Sequence, residues 1–264
     1  MTTEAVPVFA GRMLRIRRID MDTPWSWLAR GWQDFRSHPG IGLFYGALAA
    51  VTGYVITLGF LQLGWIHLIA PAISGFLLVG PILVVGLYEV SRRRAQGLSV
   101  TLIDALSAFM CNPVQIALMG VALMLFLFLW LRSAALLFFL YWGLEPPSVE
   151  RLVVDTFFSA RGWPFLVIGT AVGAVFAFVA FSISVVAVPM LLDREDANVI
   201  ESIAASIRSV QVNLGPLLLW AGIIAALVGF GLVTLYLGLV VTLPLVGHAS
   251  WHAYRDLVDW GEER

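Results

Sequence analysis

The chain has 264 residues, of which 60% are hydrophobic and only 12% are charged, and its mean hydropathy is +0.90. Charged residues make up about a quarter of an ordinary soluble domain, so this composition excludes that class and predicts an integral membrane protein. No nucleic acid partner is predicted, because no basic segment extends beyond the predicted membrane edge. The single cysteine, Cys111, excludes an internal disulfide, so stability has to come from helices packed in lipid.

A unit of three parts recurs along the chain: an amphipathic polar segment, a proline, and a long apolar stretch. The opening prolines and the polar residues that precede them within three positions are His38 with Pro39, Asn112 with Pro113, and Asn213 with Pro216. A second proline marks the far half of each unit, at Pro81, Pro189 and Pro244. Because self-similarity at a regular spacing indicates a duplicated unit, we divide the chain into units at about 23–98, 99–195 and 196–254, between segments 1–22 and 255–264.

The apolar stretches predict an all-α, polytopic integral membrane helix bundle of about six transmembrane helices. A spanning helix needs about 20 apolar residues, at a rise of about 1.5 Å per residue through about 30 Å of hydrocarbon. The stretches 40–88 and 217–254 are about twice as long, so each should fold back once, at Gln62–His67 and at Gly229 and Gly231. The stretches 115–142 and 164–192 each predict one tilted helix. The loop between them predicts a further short helix after Ser148.

The arginines predict the orientation. With six spans, one side of the membrane carries Arg12 to Arg36, Arg92 to Arg94, Arg194, Arg208, Arg255 and Arg264. Arg151 and Arg161 fall on the other side, beside Glu145, Glu150 and Asp155. The positive-inside rule therefore predicts a multi-pass protein with both termini in the cytoplasm, including the segments 1–22 and 255–264.

Each polar segment predicts a short amphipathic helix in the cytoplasmic interface. Thr23 is the expected cap of the first, Thr101 and Asp104 have the spacing of a capping box in the second, and Asn198 and Glu201 repeat it in the third. The expected apolar faces are Trp25, Leu28, Trp32 and Phe35 in the first helix, Leu102, Leu106 and Phe109 in the second, and Val199, Ile203, Ile207 and Val210 in the third.

Three strings of the chain carry a family resemblance: WLARGWQDFRSHPGIGLFYG, GPILVVGLYEVSRRRAQG and VPMLLDREDANVIESIAASIRSVQVNLGPLLLW. Their most specific parts are Gly31 with Trp32, Gly80 to Arg93, and Pro189 to Asn213. On these residues the chain, from about Trp25 to Tyr254, resembles the bacterial predicted integral membrane proteins of domain of unknown function 2189. The resemblance implies a bacterial inner-membrane protein with several spans and no established activity.

Some members of that family are labelled as a cytochrome c oxidase, but a haem–copper core needs more ligands than the four histidines of this chain. His248 and His252 are one helical turn apart and share a face, and His38 is expected at the same membrane side. These three are weak candidates for a metal site, whereas His67 is expected on the opposite side. We favour the alternative that they lie in an aromatic belt at the membrane edge, so no metal or cofactor is predicted.

Arg132 is the clearest ionisable residue inside an apolar stretch. It either lines a polar cavity or snorkels toward the headgroups, and the second interpretation is favoured. The cluster Arg92, Arg93 and Arg94 is expected to touch anionic lipid headgroups, although a role in topology alone explains it equally well. The pairs Gly42 with Gly46 and Gly169 with Gly173 have the spacing of close helix packing, within one chain or between two.

The apolar stretches contain no nucleophile with a neighbouring base, zinc motif or paired carboxylates, so neither a catalytic residue nor an enzyme is predicted. The first hypothesis is a non-enzymatic accessory, assembly or membrane-organising protein, whose partners are membrane lipids and other membrane proteins or a second copy. One alternative is a transporter or channel for a small or lipid-like solute, which the repeated prolines favour. Another is an accessory protein of a respiratory oxidase.

Overall fold

The computed structural model describes residues 4–7, 13–143 and 149–260. Its helices, in chain order, are α1 Thr23–Ser37, α2 Pro39–Gln62, α3 Ile69–Leu83, α4 Val85–Ala95, α5 Leu102–Leu106, α6 Pro113–Trp142, α7 Val149–Phe158, α8 Gly162–Ser184, α9 Ala187–Asp193, α10 Val199–Val212, α11 Leu214–Val233 and α12 Leu239–Leu257. Two 3₁₀ turns, Ile66–Leu68 and Ala108–Cys111, precede α3 and α6. The predicted all-α membrane bundle is confirmed.

Four segments among the described residues are long and apolar enough to cross a membrane: α2, α6, α8 continued by α9, and α11. The six-span prediction also counts α3 with α4, and α12. In the structure α3 packs on α6, and α12 packs on both α2 and α11. The shorter elements therefore fold back beside the long helices. The count of six stays a prediction.

Of the three connections between apolar stretches for which the sequence predicted a structure, two agree with the structure. The first apolar stretch folds back between the end of α2 at Gln62 and the start of α3 at Ile69, as predicted. The helix expected in the middle loop is α7, and Ser148 lies outside the described residues. The third turn was predicted wrongly at Gly229 and Gly231, which lie inside α11. The chain turns instead at 234–238, where Leu235 and Tyr236 have φ of 53° and 65°.

The short amphipathic helices α1, α5 and α10 lie at one end of the bundle, which we call the polar end. Two of their predicted caps are confirmed: Thr101 and Asp104 form a capping box on α5, and Asn198 accepts the backbone N–H of Glu201 on α10. The cap predicted for α1 is wrong, since Asp22 occupies that position and makes no side-chain cap hydrogen bond. Asp22 has helical backbone angles, whereas Thr101 and Asn198 are extended, which is the conformation that capping requires.

The three units enter their long helices in the same way. The residues before α2, α6 and α11 have φ and ψ of −132° and 58° at His38, −147° and 69° at Asn112, and −123° and 40° at Asn213. His38 and Asn112 directly precede a proline, whose ring disfavours the helical conformation in the residue before it. The chain is therefore bent at each entrance, and the preceding amphipathic helix leaves the axis of the long helix.

The best-buried part of the molecule lies at the polar end, where α4, α9 and α12 meet. Its fully buried members include Leu87, Val186, Leu191, Ala249 and Tyr254. A Cβ on Gly247 of α12 would lie 2.7 Å from the Leu87 side chain of α4, so these helices touch closely. The long helices away from this centre are mostly exposed at their surfaces, as helices surrounded by lipid should be.

A small antiparallel sheet, which the sequence did not predict, lies at the chain ends. Its strands are β1 Glu4–Pro7, β2 Met13–Ile16 and β3 Val258–Asp259, with β2 in the centre. Ile16 pairs with Val258. Leu14 and Ile16 are fully buried in the core, so the pairing fastens the first described residues to the end of α12.

Candidate functional site

A buried carboxylate joins three helices at the polar end. Asp34 of α1 is 1% exposed. Its Oδ2 lies 2.8 Å from Nε2 of His252 on α12, and its Oδ1 accepts a hydrogen bond from the guanidinium of Arg94 on α4. Because each contact crosses between elements distant in sequence, Asp34 fastens the first amphipathic helix to the centre of the bundle.

Ser91 and His248 extend this cluster inward. The Oγ of Ser91 lies 2.9 Å from Nδ1 of His248, and both residues are fully buried. Burial alone would raise the pKa of Asp34, but hydrogen bonds from His252 and Ser91, together with the electrostatic effect of His252 and His248, hold that pKa below its ordinary value. A hydroxyl, an imidazole and a carboxylate are the groups used in nucleophilic catalysis. Here Ser91 has no exposed surface for a substrate to reach, and the cluster acts as a polar junction between helices.

The arginine cluster is engaged by carboxylates of the same chain. Nε of Arg92 and Nε of Arg93 each lie 2.7 Å from an oxygen of Glu89, which is 2% exposed. Arg93 also lies 3.1 Å from Asp104, and so ties α4 to α5. The sequence did not predict the partners of Arg93 and Arg94 on other helices, Asp104 and Asp34. The three guanidinium groups remain partly exposed and so can also reach headgroups.

The candidate histidines do not converge on one point. His248 contacts Ser91, His252 contacts Asp34, and Nδ1 of His38 lies 3.0 Å from the hydroxyl of the neighbouring Ser37. Across the described part of the chain, no group of three or more His, Cys, Asp or Glu side chains is arranged to hold a metal ion. His67 lies in the 3₁₀ turn before α3, and its side chain is outside the described residues.

A cavity of about 620 Å³ lies between α3, α6 and α8, toward the end opposite the amphipathic helices. We call it the apolar cavity. Its lining contains no charged side chain among the described residues, and its polar side chains are Ser74, Thr156, Thr170 and the indole of Trp130. The Trp130 N–H is already used, since it donates to the carbonyl oxygen of Pro71 at 3.0 Å and to the Ser74 hydroxyl at 3.1 Å.

The two glycine pairs have different surroundings. A Cβ on Gly46 would lie 2.3 Å from the carbonyl oxygen of Val240, so this glycine faces α12 of the same chain at very short range. A Cβ on Gly42 would lie 2.5 Å from the Phe35 ring of α1 and 3.3 Å from Pro244 of α12. Gly169 and Gly173 line the apolar cavity. Around Gly169 a Cβ would meet nothing within 4 Å, while one on Gly173 would lie 3.1 Å from the Trp130 ring.

Arg132 lies on α6 two residues after Trp130, but on another face of that helix. It is exposed and does not line the apolar cavity. Its guanidinium therefore lies on the outer surface of the bundle, where a long side chain can extend along the helix toward the membrane edge.

The family model described as "Predicted integral membrane protein (DUF2189)" matches residues 68–193. Over these residues, a little under half of the chain, the protein is similar to that family. The resemblance expected over Trp25–Tyr254 is thus confirmed for its central part. Comparisons with curated proteins and with solved structures found no match. The matched region runs from the turn before α3 to the end of α9, and it includes every described lining residue of the apolar cavity except Ile66. Asp34, His248 and His252 lie outside it.

Sequence reasoning missed two features of these sites. Asp34 lies outside the apolar face predicted for α1, and its position one turn after Arg30 on an interfacial helix does not distinguish a buried carboxylate from a solvated one. Trp130 was part of an apolar run. The sequence did contain a pattern that could have predicted the apolar cavity. On α6 and α8 the small residues leave little side-chain volume between two long helices: Ala134, Ala135, Gly169, Gly173 and Ala174.

Proposed function

We propose that this protein is a non-enzymatic, multi-pass membrane protein with both termini in the cytoplasm, and that it serves as an accessory or membrane-organising protein. One observation carries the proposal. The polar end bears a layer of amphipathic helices that the bundle holds rigidly and that present large apolar side chains outward.

The attachment of these helices is specific. A Cβ on Gly31 of α1 would lie 2.7 Å from the backbone of Ala249 on α12, so α1 packs on α12 at close range. On α5 the carbonyl oxygen of Ala105 accepts the Tyr45 hydroxyl at 3.2 Å. On α10 the hydroxyl of Ser206 accepts the backbone N–H of Val186 at 3.1 Å, where α8 ends and α9 begins. A small or polar residue thus makes a close contact with the bundle in each helix, and on α1 the fully buried Trp27 also faces the bundle.

Other large apolar side chains of these helices point outward. Trp25 of α1 is 54% exposed, Ile103 of α5 is 77% exposed and Ile200 of α10 is 76% exposed. A helix with one apolar face outward at the membrane edge binds lipid or another protein. A rigid layer of this kind supports a role in organising neighbouring molecules, and the arginine distribution supports its cytoplasmic location.

Orientation is tested by single-cysteine labelling after Cys111→Ser removes the native thiol. We expect an impermeant maleimide to modify Ser99→Cys, between α4 and α5, only when the cytoplasmic face is accessible. Gly143→Cys, after α6, should react from the other side. Reaction of both positions from the same face would contradict the topology.

The organising role is tested by incorporating a photo-crosslinking amino acid at Trp25, Ile103 or Ile200 in native membranes. We expect a defined protein adduct from at least two of these positions. The adduct at position 25 should be lost when Ile103→Glu is added to the protein that carries the probe there. Leu235, which is 68% exposed at the opposite end, is the control position. An adduct pattern at Leu235 identical to that at the polar end would contradict the proposal.

A further inference from the structure

We infer that the apolar cavity binds one acyl chain of a membrane lipid. This inference is independent of the accessory role, because it concerns another face of the molecule and a different class of ligand. Four properties of the cavity point to this occupant: its depth, its chemistry, its access and the small residues that form it.

The depth of the cavity matches one leaflet of a bilayer. Its wall on α8 runs from Phe165 to Ala177, which at 1.5 Å per residue is about 18 Å along the helix. Half of the hydrocarbon core of a membrane is about 15 Å thick. A volume of about 620 Å³ spread over this length leaves a mean cross-section on the order of 35 Å². The cavity is therefore a long, narrow slot that suits an extended chain better than a compact solute.

The described lining residues carry no charge and offer few hydrogen bonds. Polar groups buried without a partner are unfavourable, so a polar solute would need donors and acceptors that these residues do not supply. The Trp130 N–H is occupied by Pro71 and Ser74. The Ser74 hydroxyl lies 2.9 Å from the carbonyl oxygen of Ala70, to which it donates. Thr156 and Phe157 of α7 lie at the end of the slot nearest the membrane surface, where the headgroup end of a lipid would emerge.

The slot is open sideways. Thr170, Ala174 and Ala177 line it and are also exposed on the surface of α8, at spacings of three and four residues that place them along one edge of the helix. In a membrane that edge faces lipid, so an acyl chain can enter laterally without crossing the headgroup region.

Small residues create the space. Gly169 and Gly173 on α8 face Ala134 and the ring of Trp130 on α6, and any larger residue at Gly169 would project into the slot without meeting protein atoms within 4 Å of its Cβ. Protein interiors otherwise contain few voids larger than a water molecule. A slot of this size, inside the matched region, is therefore best explained by a ligand that fills it.

The test uses the full-length protein in vesicles of phosphatidylethanolamine that contain a tracer lipid with a photoreactive diazirine midway along one acyl chain. We expect adducts on peptides of α3, α6 and α8, and at least a fivefold lower yield there in Gly169→Leu. Gly222→Leu in α11 is the matched control, because a Cβ at Gly222 also meets nothing within 4 Å and this residue lies outside the cavity. It should label like the unmodified protein.

Three outcomes would overturn the inference. The first two are labelling spread evenly over α11 and α8, and labelling of α8 that Gly169→Leu leaves unchanged. The third is a crosslink between two copies through a photo-crosslinking amino acid introduced into α8, without lipid adducts, which would identify a helix of a second copy as the occupant. Ala177→Phe blocks the other end of the slot and should lower the yield as well. Circular dichroism and size-exclusion profiles that match those of the unmodified protein ensure that each variant is folded.

Discussion

Nε2 of His252 lies 2.8 Å from Oδ2 of Asp34, although the two residues are 218 positions apart in the chain. The contact brings the first amphipathic helix onto the last helix of the bundle, and Arg94 completes it from α4. Three of the helices that meet at the polar end are thus joined through one carboxylate.

Replacing Asp34 with alanine should therefore destabilise the protein. The change removes the shared partner of His252 and Arg94, and breaking a buried ion pair costs about 3–5 kcal/mol. We expect a loss near the lower bound, because the Arg94 side chain is 38% exposed and water can solvate it. Thermal unfolding in detergent measures the effect. Asp22→Ala, at an exposed residue just before α1, is the control and should change stability by less than about 0.5 kcal/mol.

The contribution of Asp34 should disappear in acid. Its pKa is lowered in the folded protein from an unfolded value of about 3.9. The stabilisation is therefore complete above about pH 4 and is lost as the pH falls through the lower, folded pKa. The stability difference between the unmodified protein and Asp34→Asn should stay constant near pH 5 and shrink below about pH 4. Denaturation measured from about pH 5 to well below pH 4 tests this. A difference that grows in acid would have the wrong sign.

Gly46 should tolerate no side chain. A Cβ there would lie 2.3 Å from the carbonyl oxygen of Val240, and this neighbour is backbone that cannot rotate away. Gly46→Ala should force α2 from α12 and cost about 1–3 kcal/mol. In the same helix, Gly59→Ala adds a methyl group where nothing lies within 4 Å and should be nearly neutral. Equal melting temperatures for the two variants would refute the close contact.

Asn213 should contribute more to stability than its counterpart His38. The Asn213 side chain accepts the backbone N–H of Ile19 at 2.9 Å and donates to the carbonyl oxygen of Arg17 at 2.9 Å. Asn213→Ala leaves both groups unpaired, which costs about 1–3 kcal/mol. His38→Ala removes a contact with the adjacent Ser37 and should cost less. Hydrogen exchange at the Ile19 amide should accelerate only in the Asn213 variant.

The features of the fold that were predicted correctly are determined by residues close together in the sequence. The helical class and the first turn follow from hydropathy, and the caps at Thr101 and Asn198 follow from hydrogen bonds that span three residues. The turn placed at Gly229 and Gly231 was wrong because glycine also occurs inside membrane helices, where it allows close contact. A Cβ on Gly231 would lie 2.4 Å from the Leu239 side chain, so this glycine serves the packing of α11 on α12.

Composition and local pattern alone determined that this is a membrane protein built of long apolar helices and short amphipathic ones, because hydropathy and capping act within one or two turns. Tertiary structure alone decided what the polar and small residues do. Gly42 and Gly169 belong to pairs of identical spacing, yet the first pair closes a helix contact and the second opens a cavity. The difference lies in the partner, since α12 places its backbone against Gly46, whereas α6 holds the Trp130 ring beside Gly173 and leaves the space at Gly169 empty.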